Sequence, residues 1–189
     1  MQIIKLSATD STNAYLKSLA QSKTLDDYTI VVAEQQRKGR GQMGAIWQSE
    51  AGKNLTFSLL RRLGNMAIED RFQLNICVSM AIIAALKELH LTDLAIKWPN
   101  DILSGNSKIC GILIENKISD SKIQASIIGI GLNVNQLTFD NLKNVSSLKL
   151  LSGKIFNLDE LLYRITDHLK SFLSFLDKKW NDKLWADYE

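Results

Sequence analysis

Residues 35–47 read Gln35-Gln36-Arg37-Lys38-Gly39-Arg40-Gly41-Gln42-Met43-Gly44-Ala45-Ile46-Trp47, with three glycines inside six positions. Glycines let successive backbone amides converge on an anion without a Cβ in the way. Arg37, Lys38 and Arg40 add fixed positive charge, and an arginine can grip a carboxylate or phosphate at two points. Trp47 offers a flat apolar surface on which a ring or base could stack. No Gly-Lys-Ser/Thr ending follows, so this is not a Walker loop; a solvated hairpin loop is the competing reading.

Three further stretches carry chemical groups. Lys97-Trp98-Pro99-Asn100-Asp101 holds the chain's one proline and gathers Lys, Asn and Asp at the end of a strand. Asp beside Asn suits a hydrated Mg²⁺ that also touches phosphate, and equally suits an Asx-stabilised turn. Lys108-Ile109-Cys110-Gly111-Ile112-Leu113-Ile114-Glu115 opens an apolar strand with an ammonium, which could face a carboxylate or acyl-phosphate, or simply water. In Ile128-Gly129-Ile130-Gly131-Leu132-Asn133 the two glycines and Asn133 share one strand face. That leaves a slot for a ligand or for a closely packed neighbour.

The elements that must position these groups are legible from periodicity. Strands are expected at residues 3–6, 29–34, 54–61, 94–97, 101–103, 108–116 and 123–133. Ser11-Thr12-Asn13 supplies capping side chains to a helix bearing Tyr15, Leu16 and Leu19. Phe72, Ile76, Met80, Ile83 and Leu86 mark an amphipathic helix ending near His90. Asn157 and Glu160 open a last helix, with Leu158, Leu161, Leu162, Ile165, Leu169, Phe172 and Leu176 facing inward. Strands cluster in the middle with hairpin-length links such as 104–107 and 119–121. The class is therefore α+β: a mixed, mainly antiparallel sheet with helices packed on one side, as one domain over 1–189.

Bulk properties bound the function. A hydrophobic fraction of 46% and a net charge of +3 describe a globular chain with no general attraction to nucleic acid or anionic membrane. Cys77 and Cys110 lie in apolar runs, as small core side chains of a reducing, cytoplasmic setting would. Residues 1–6 lack the core of a signal peptide, and the apolar stretch 77–86 is too short to span a bilayer.

Taken in order, Ser11-Thr12-Asn13, the Gly-Arg-Gly loop with Trp47, Lys-Trp-Pro-Asn-Asp, Lys-x-x-Gly-Ile-Leu-x-Glu and Gly-x-Gly-x-Asn resemble the biotin–protein ligases from about residue 7 to 135. The resemblance implies a fold shared with lipoate ligases and two half-reactions. Biotin's carboxylate attacks the α-phosphorus of Mg²⁺-ATP, giving biotinyl-5′-AMP and pyrophosphate. A lysine of a biotin carboxyl carrier protein then attacks the anhydride and releases AMP. It places Ser11, Thr12, Asn13, Gln36, Gly39, Arg40, Gly41, Gln42, Lys108, Gly111, Gly129 and Gly131 at biotin. Arg40, Trp47, Asn100, Asp101, Lys108 and Asn133 fall at ATP, with Asn133 near Mg²⁺ and Lys108, Arg40 and Asp101 as the catalytic group. It allows a homodimer.

Two departures from that pattern stand out. The family loop continues with basic residues where this chain has Gln42 and Ala45, so the adenylate phosphate would lose two cationic partners. The chain starts at the first catalytic strand, without a DNA-binding domain, so no DNA partner is expected. Its last residues, 183–189, come about where many members begin a small SH3-like domain. The competing assignments are a lipoate–protein ligase, an octanoyltransferase using Cys110, and a non-catalytic biotin-binding module.

Overall fold

The computed structural model describes residues 1–140 and 142–177; the expectation for 183–189 lies outside them. Seven strands form one sheet in the order β1-β2-β3-β7-β6-β5-β4. They are β1 (Ile3–Thr9), β2 (Ile30–Gln36), β3 (Leu55–Ala67), β4 (Leu94–Lys97), β5 (Asp101–Ser104), β6 (Ser107–Ser119) and β7 (Lys122–Leu132). β1 runs parallel to β2, because α1 (Thr12–Ser22) forms the crossover between them. Every other neighbouring pair is antiparallel. β6 and β7 are joined through Asp120 and Ser121, both at positive φ (51° and 59°), as a tight hairpin turn demands.

Alternation along the strands divides the core into two layers. Ile30, Phe57, Leu59, Ile128, Ile130 and Leu132 face α2 (Arg71–Lys87) and α4 (Leu158–Leu173). Val31, Leu60 and Ile127 face the other way and pack on Leu16 of α1. The expected placement of helices on one side therefore holds for α2 and α4, while α1 lies on the opposite face.

α2 differs from the amphipathic expectation too. Leu74, Ile76, Cys77, Val78, Ala81, Ile82, Ile83, Ala85 and Leu86 are all buried, because α4 covers the side that would otherwise meet water. The helix also stops at Lys87, and His90 turns away at φ 59°. α4 is the amphipathic helix, capped by Asn157 Oδ1, which accepts from the amides of Asp159 (2.9 Å) and Glu160 (3.2 Å). A short fourth helix, α3 (Leu148–Ser152), was not expected from periodicity; five residues are too few to show any.

Candidate functional site

On the α1 side, the sheet, the first turn of α1, the 37–47 loop and the β4–β5 turn enclose a cavity of about 230 Å³. Its wall contains Ser11, Thr12, Asn13, Gln36, Arg40, Gly41, Gln42, Trp47, Asn100, Asp101, Lys108, Gly111, Gly129 and Gly131. These come from stretches up to 120 positions apart (131 minus 11), and the fold brings them to one place. Gly39 lies instead in an adjoining recess of about 430 Å³, which shares Arg40, Gly41, Ala45, Ile46 and Leu113 with the cavity. Asn133 walls neither space.

The first turn of α1 is held rigidly. Ser11 is the N-cap, and the next two side chains turn onto the sheet. Gln36 Oε1 accepts from the Thr12 amide (2.8 Å) and hydroxyl (3.1 Å). Asn13 is 3% exposed; its Oδ1 accepts from Ser58 Oγ at 2.6 Å. Its Nδ2 donates to the Leu113 carbonyl at 3.2 Å and to Glu115 Oε2 at 2.8 Å. Gly129 makes this seat: a Cβ there would stand 2.3 Å from Asn13 Oδ1.

Gly111 and Gly131 are paired across β6 and β7, leaving a flat patch of backbone. The indole of Trp47 lies on it. A Cβ at Gly131 would come within 2.4 Å of the ring and one at Gly111 within 3.1 Å. Trp47 Nε1 is buried there without a hydrogen-bond partner. Close packing of this glycine face is what the structure shows, since two protein side chains occupy the space of the missing Cβ atoms at Gly129 and Gly131, and the same glycines border the cavity.

Lys108 and Asp101 meet at another part of the cavity wall. Lys108 Nζ sits 2.6 Å from Asp101 Oδ1 and 5.8 Å from the centroid of a Trp47 ring, a cation facing an aromatic surface. Backbone pairing with the segment around Val145 fixes this lysine: its amide donates to the Asn144 carbonyl (2.8 Å), and its carbonyl accepts from the Ser146 amide (3.0 Å). Asn100 is clamped on β6, its Nδ2 donating to the Ile112 carbonyl (3.1 Å) and its own carbonyl accepting from the Ile112 amide (2.9 Å). The Trp98–Pro99 bond beside it is cis. Arg40 pairs with Glu115 at 3.0 Å.

Asn133, expected at ATP and Mg²⁺, does different work. It is buried beyond the end of β7, and its Nδ2 donates to the Ser146 carbonyl at 3.1 Å. With Asn54 (to the Val134 amide, 2.9 Å), Asn135 (to Phe156) and Gln136 (to the Glu50 amide, 2.9 Å) it forms a set of side-chain amides that satisfies irregular backbone. Its Oδ1 has no partner. No group of three or more His, Cys, Asp or Glu side chains placed to hold a metal occurs among the described residues. Cys110 is fully buried; burial pushes its thiol far up, against the smaller opposing effect of Lys108, so it is no nucleophile at neutral pH.

Ser58 and Glu115 are the residues that motif reasoning missed as parts of the site. Ser58 reads as an ordinary small residue in an alternating strand, and only the meeting of β3 with α1 gives it Asn13 to hold. Glu115 ended a quoted motif without a role.

Comparisons with known proteins give the chain its family. Residues 6–133 match the Biotin/lipoate A/B protein ligase family. The bifunctional ligase/repressor BirA of Bacillus spizizenii is 36% identical over 130 residues, 67% of this chain and 40% of that protein. The biotin–[acetyl-CoA-carboxylase] ligase of Mycobacterium tuberculosis is 28% identical over 193 residues, 99% of this chain and 69% of that one. The biotin protein ligase of Aquifex aeolicus, in complex with biotin and ATP, superposes with a TM-score of 0.81 at 29% identity, covering 95% of this chain and 73% of that one. The chain spans between 33% and 53% of the first three curated relatives. With the family model covering well over half its length, this chain belongs to the biotin/lipoate A/B protein ligase family.

Proposed function

We propose that the chain activates biotin with ATP to biotinyl-5′-AMP and transfers the biotinyl group to a lysine of a biotin carboxyl carrier protein, in the cytoplasm. The observation that carries this reading is the convergence of Lys108, Arg40 and the polar first turn of α1 on one cavity with a glycine floor. The relatives' names and the Aquifex complex with biotin and ATP support the choice of biotin. Lys-Trp-Pro-Asn-Asp favours it over lipoate.

In this reading Ser11, Thr12, Asn13 and Gln36 meet biotin's ureido ring or its tail, and Trp47 lies beside the adenine. The carboxylate oxygen forms a bond to the α-phosphorus as the bond to pyrophosphate breaks. Lys108 offsets the charge on the carboxylate and α-phosphate, held at its station by Asp101. The carrier amine, once deprotonated, then bonds to the acyl carbon and AMP leaves. No covalent enzyme intermediate is required, so acceleration comes from alignment and fixed charge. Mg²⁺ enters as part of the nucleotide substrate, held chiefly by phosphate oxygens and water.

The test is direct. The protein is incubated with α-labelled ATP and biotin, then with lipoate in place of biotin. Biotin-dependent acyl-adenylate and pyrophosphate are expected. Product only with lipoate reassigns the substrate, and product with neither removes the ligase reading in favour of a binding module.

A further inference from the structure

One carboxylate oxygen connects the rigid and the movable halves of the site. Glu115 Oε2 accepts from Asn13 Nδ2 (2.8 Å) and from Arg40 Nη2 (3.0 Å). Asn13 cannot follow a moving partner, because Ser58, the Leu113 carbonyl and the space above Gly129 fix it. Arg40 is held less closely: the loop's amides at Arg37 and Lys38 donate to the carbonyls of Thr9 and Asp10, but from Gly39 to Trp47 its backbone bonds close only on the loop itself, as a short hairpin. The ion pair between Lys38 of the loop and Asp10 is largely exposed, whereas the Glu115 side chain is 25% exposed. A polar chain therefore runs Ser58–Asn13–Glu115–Arg40, from the buried sheet to the loop over the cavity.

The walls add a second observation. Glu115 borders the outer recess and not the main cavity, while Arg40 borders both. The guanidinium paired with Glu115 is thus drawn toward the recess, and an anion entering the cavity would compete for it. We infer that Glu115 is a positioning residue, a latch that holds Arg40 and its loop while the cavity is empty and yields Arg40 to the anionic group of the ligand. The ligand half of this inference rests on the proposed biotin and ATP site; the empty-state half does not.

Hydrogen exchange by mass spectrometry on the full chain tests it, following the peptide 39–47 with 71–87 as the internal reference. Glu115→Gln keeps an amide oxygen as acceptor for Asn13, turns the other oxygen into an NH2 and removes the charge that faces Arg40. Without ligand, exchange in 39–47 should quicken by about threefold, the scale of a partly exposed ion pair, with 71–87 unchanged. Arg40→Gln should do the same, and the double variant should add nothing, since both remove one interaction. With biotin and ATP present, wild type and Glu115→Gln should slow to a common rate. Equal exchange without ligand, or additive effects in the double variant, overturns the latch. A difference that survives ligand binding makes Glu115 a static prop and overturns the hand-over. If the wild type forms no acyl-adenylate in the labelled-ATP assay, the proposed function fails, and the ligand-free comparison still judges the latch.

Discussion

Lys108 and the paired glycines make separable demands on the site. Lys108→Ala leaves the ion-paired Asp101 without its cation and, on the proposed function, removes the charge assigned to the carboxylate and α-phosphate. Acyl-adenylate formation should fall by about 10²–10³-fold while biotin binding weakens far less, measured by single-turnover assay beside equilibrium titration. Gly129→Ala and Gly131→Ala look alike in sequence but should fail differently. At Gly129 the new methyl meets Asn13, which is buried and cannot withdraw, so unfolding stability should drop by about 2–3 kcal/mol in denaturant titration. At Gly131 it meets the Trp47 ring, which sits on a loop and can lift. Ligand affinity should therefore fall with the denaturation midpoint nearly unchanged. At Gln42, which borders the cavity where a basic residue is usual in the family, Gln42→Arg should slow release of biotinyl-AMP; equal release rates would show that the missing charge is immaterial.

The two core layers hold these groups through α1 and through the α2–α4 pair. α4 reaches the core with Leu161, Leu162, Ile165, Leu169 and Leu173, all buried, but contributes no residue to the cavity wall. Leu169→Ala should cost about 2–4 kcal/mol in global stability and leave biotin affinity in the folded fraction unaltered. Glu88, at the end of α2, accepts from His168 (2.8 Å) and Arg164 on α4. His168 first, then Arg164, holds its carboxyl below the usual range, so this exposed clasp is kept at neutral pH and weakens as Glu88 takes up a proton in acid.

For the molecule as a whole, alkaline pH is the informative axis. Burial pushes Cys77 up to about 12 and Cys110 higher still, so both stay protonated in the native state where unfolded thiols ionise. The unfolded state then binds fewer protons, and stability falls as pH rises. Above about pH 8.5 each cysteine should contribute a loss approaching 1.4 kcal/mol per pH unit, seen in denaturation midpoints and reduced in Cys77→Ala. The same burial predicts no reaction of either thiol with a thiol reagent at pH 8 until the chain unfolds. No helix among the described residues is long and apolar enough to cross a membrane.

Local sequence determined a good deal. Apolar and β-branched runs, alternation at 54–61 and turn residues marked seven strands, and motif order brought many of the cavity-lining residues to notice before any contact was known. These features are readable because each depends on neighbours within a few positions. Local sequence could not decide that α1 lies across the sheet from α2 and α4, since a stripe of leucines says which face is apolar but not which face of a sheet it will meet. Nor could it assign Asn133 to backbone support, Gly129 to the seating of Asn13, or Glu115 to the junction of Asn13 and Arg40. Each of those depends on a contact between side chains or backbones that are distant along the chain, and such contacts exist only once packing has chosen the strand order.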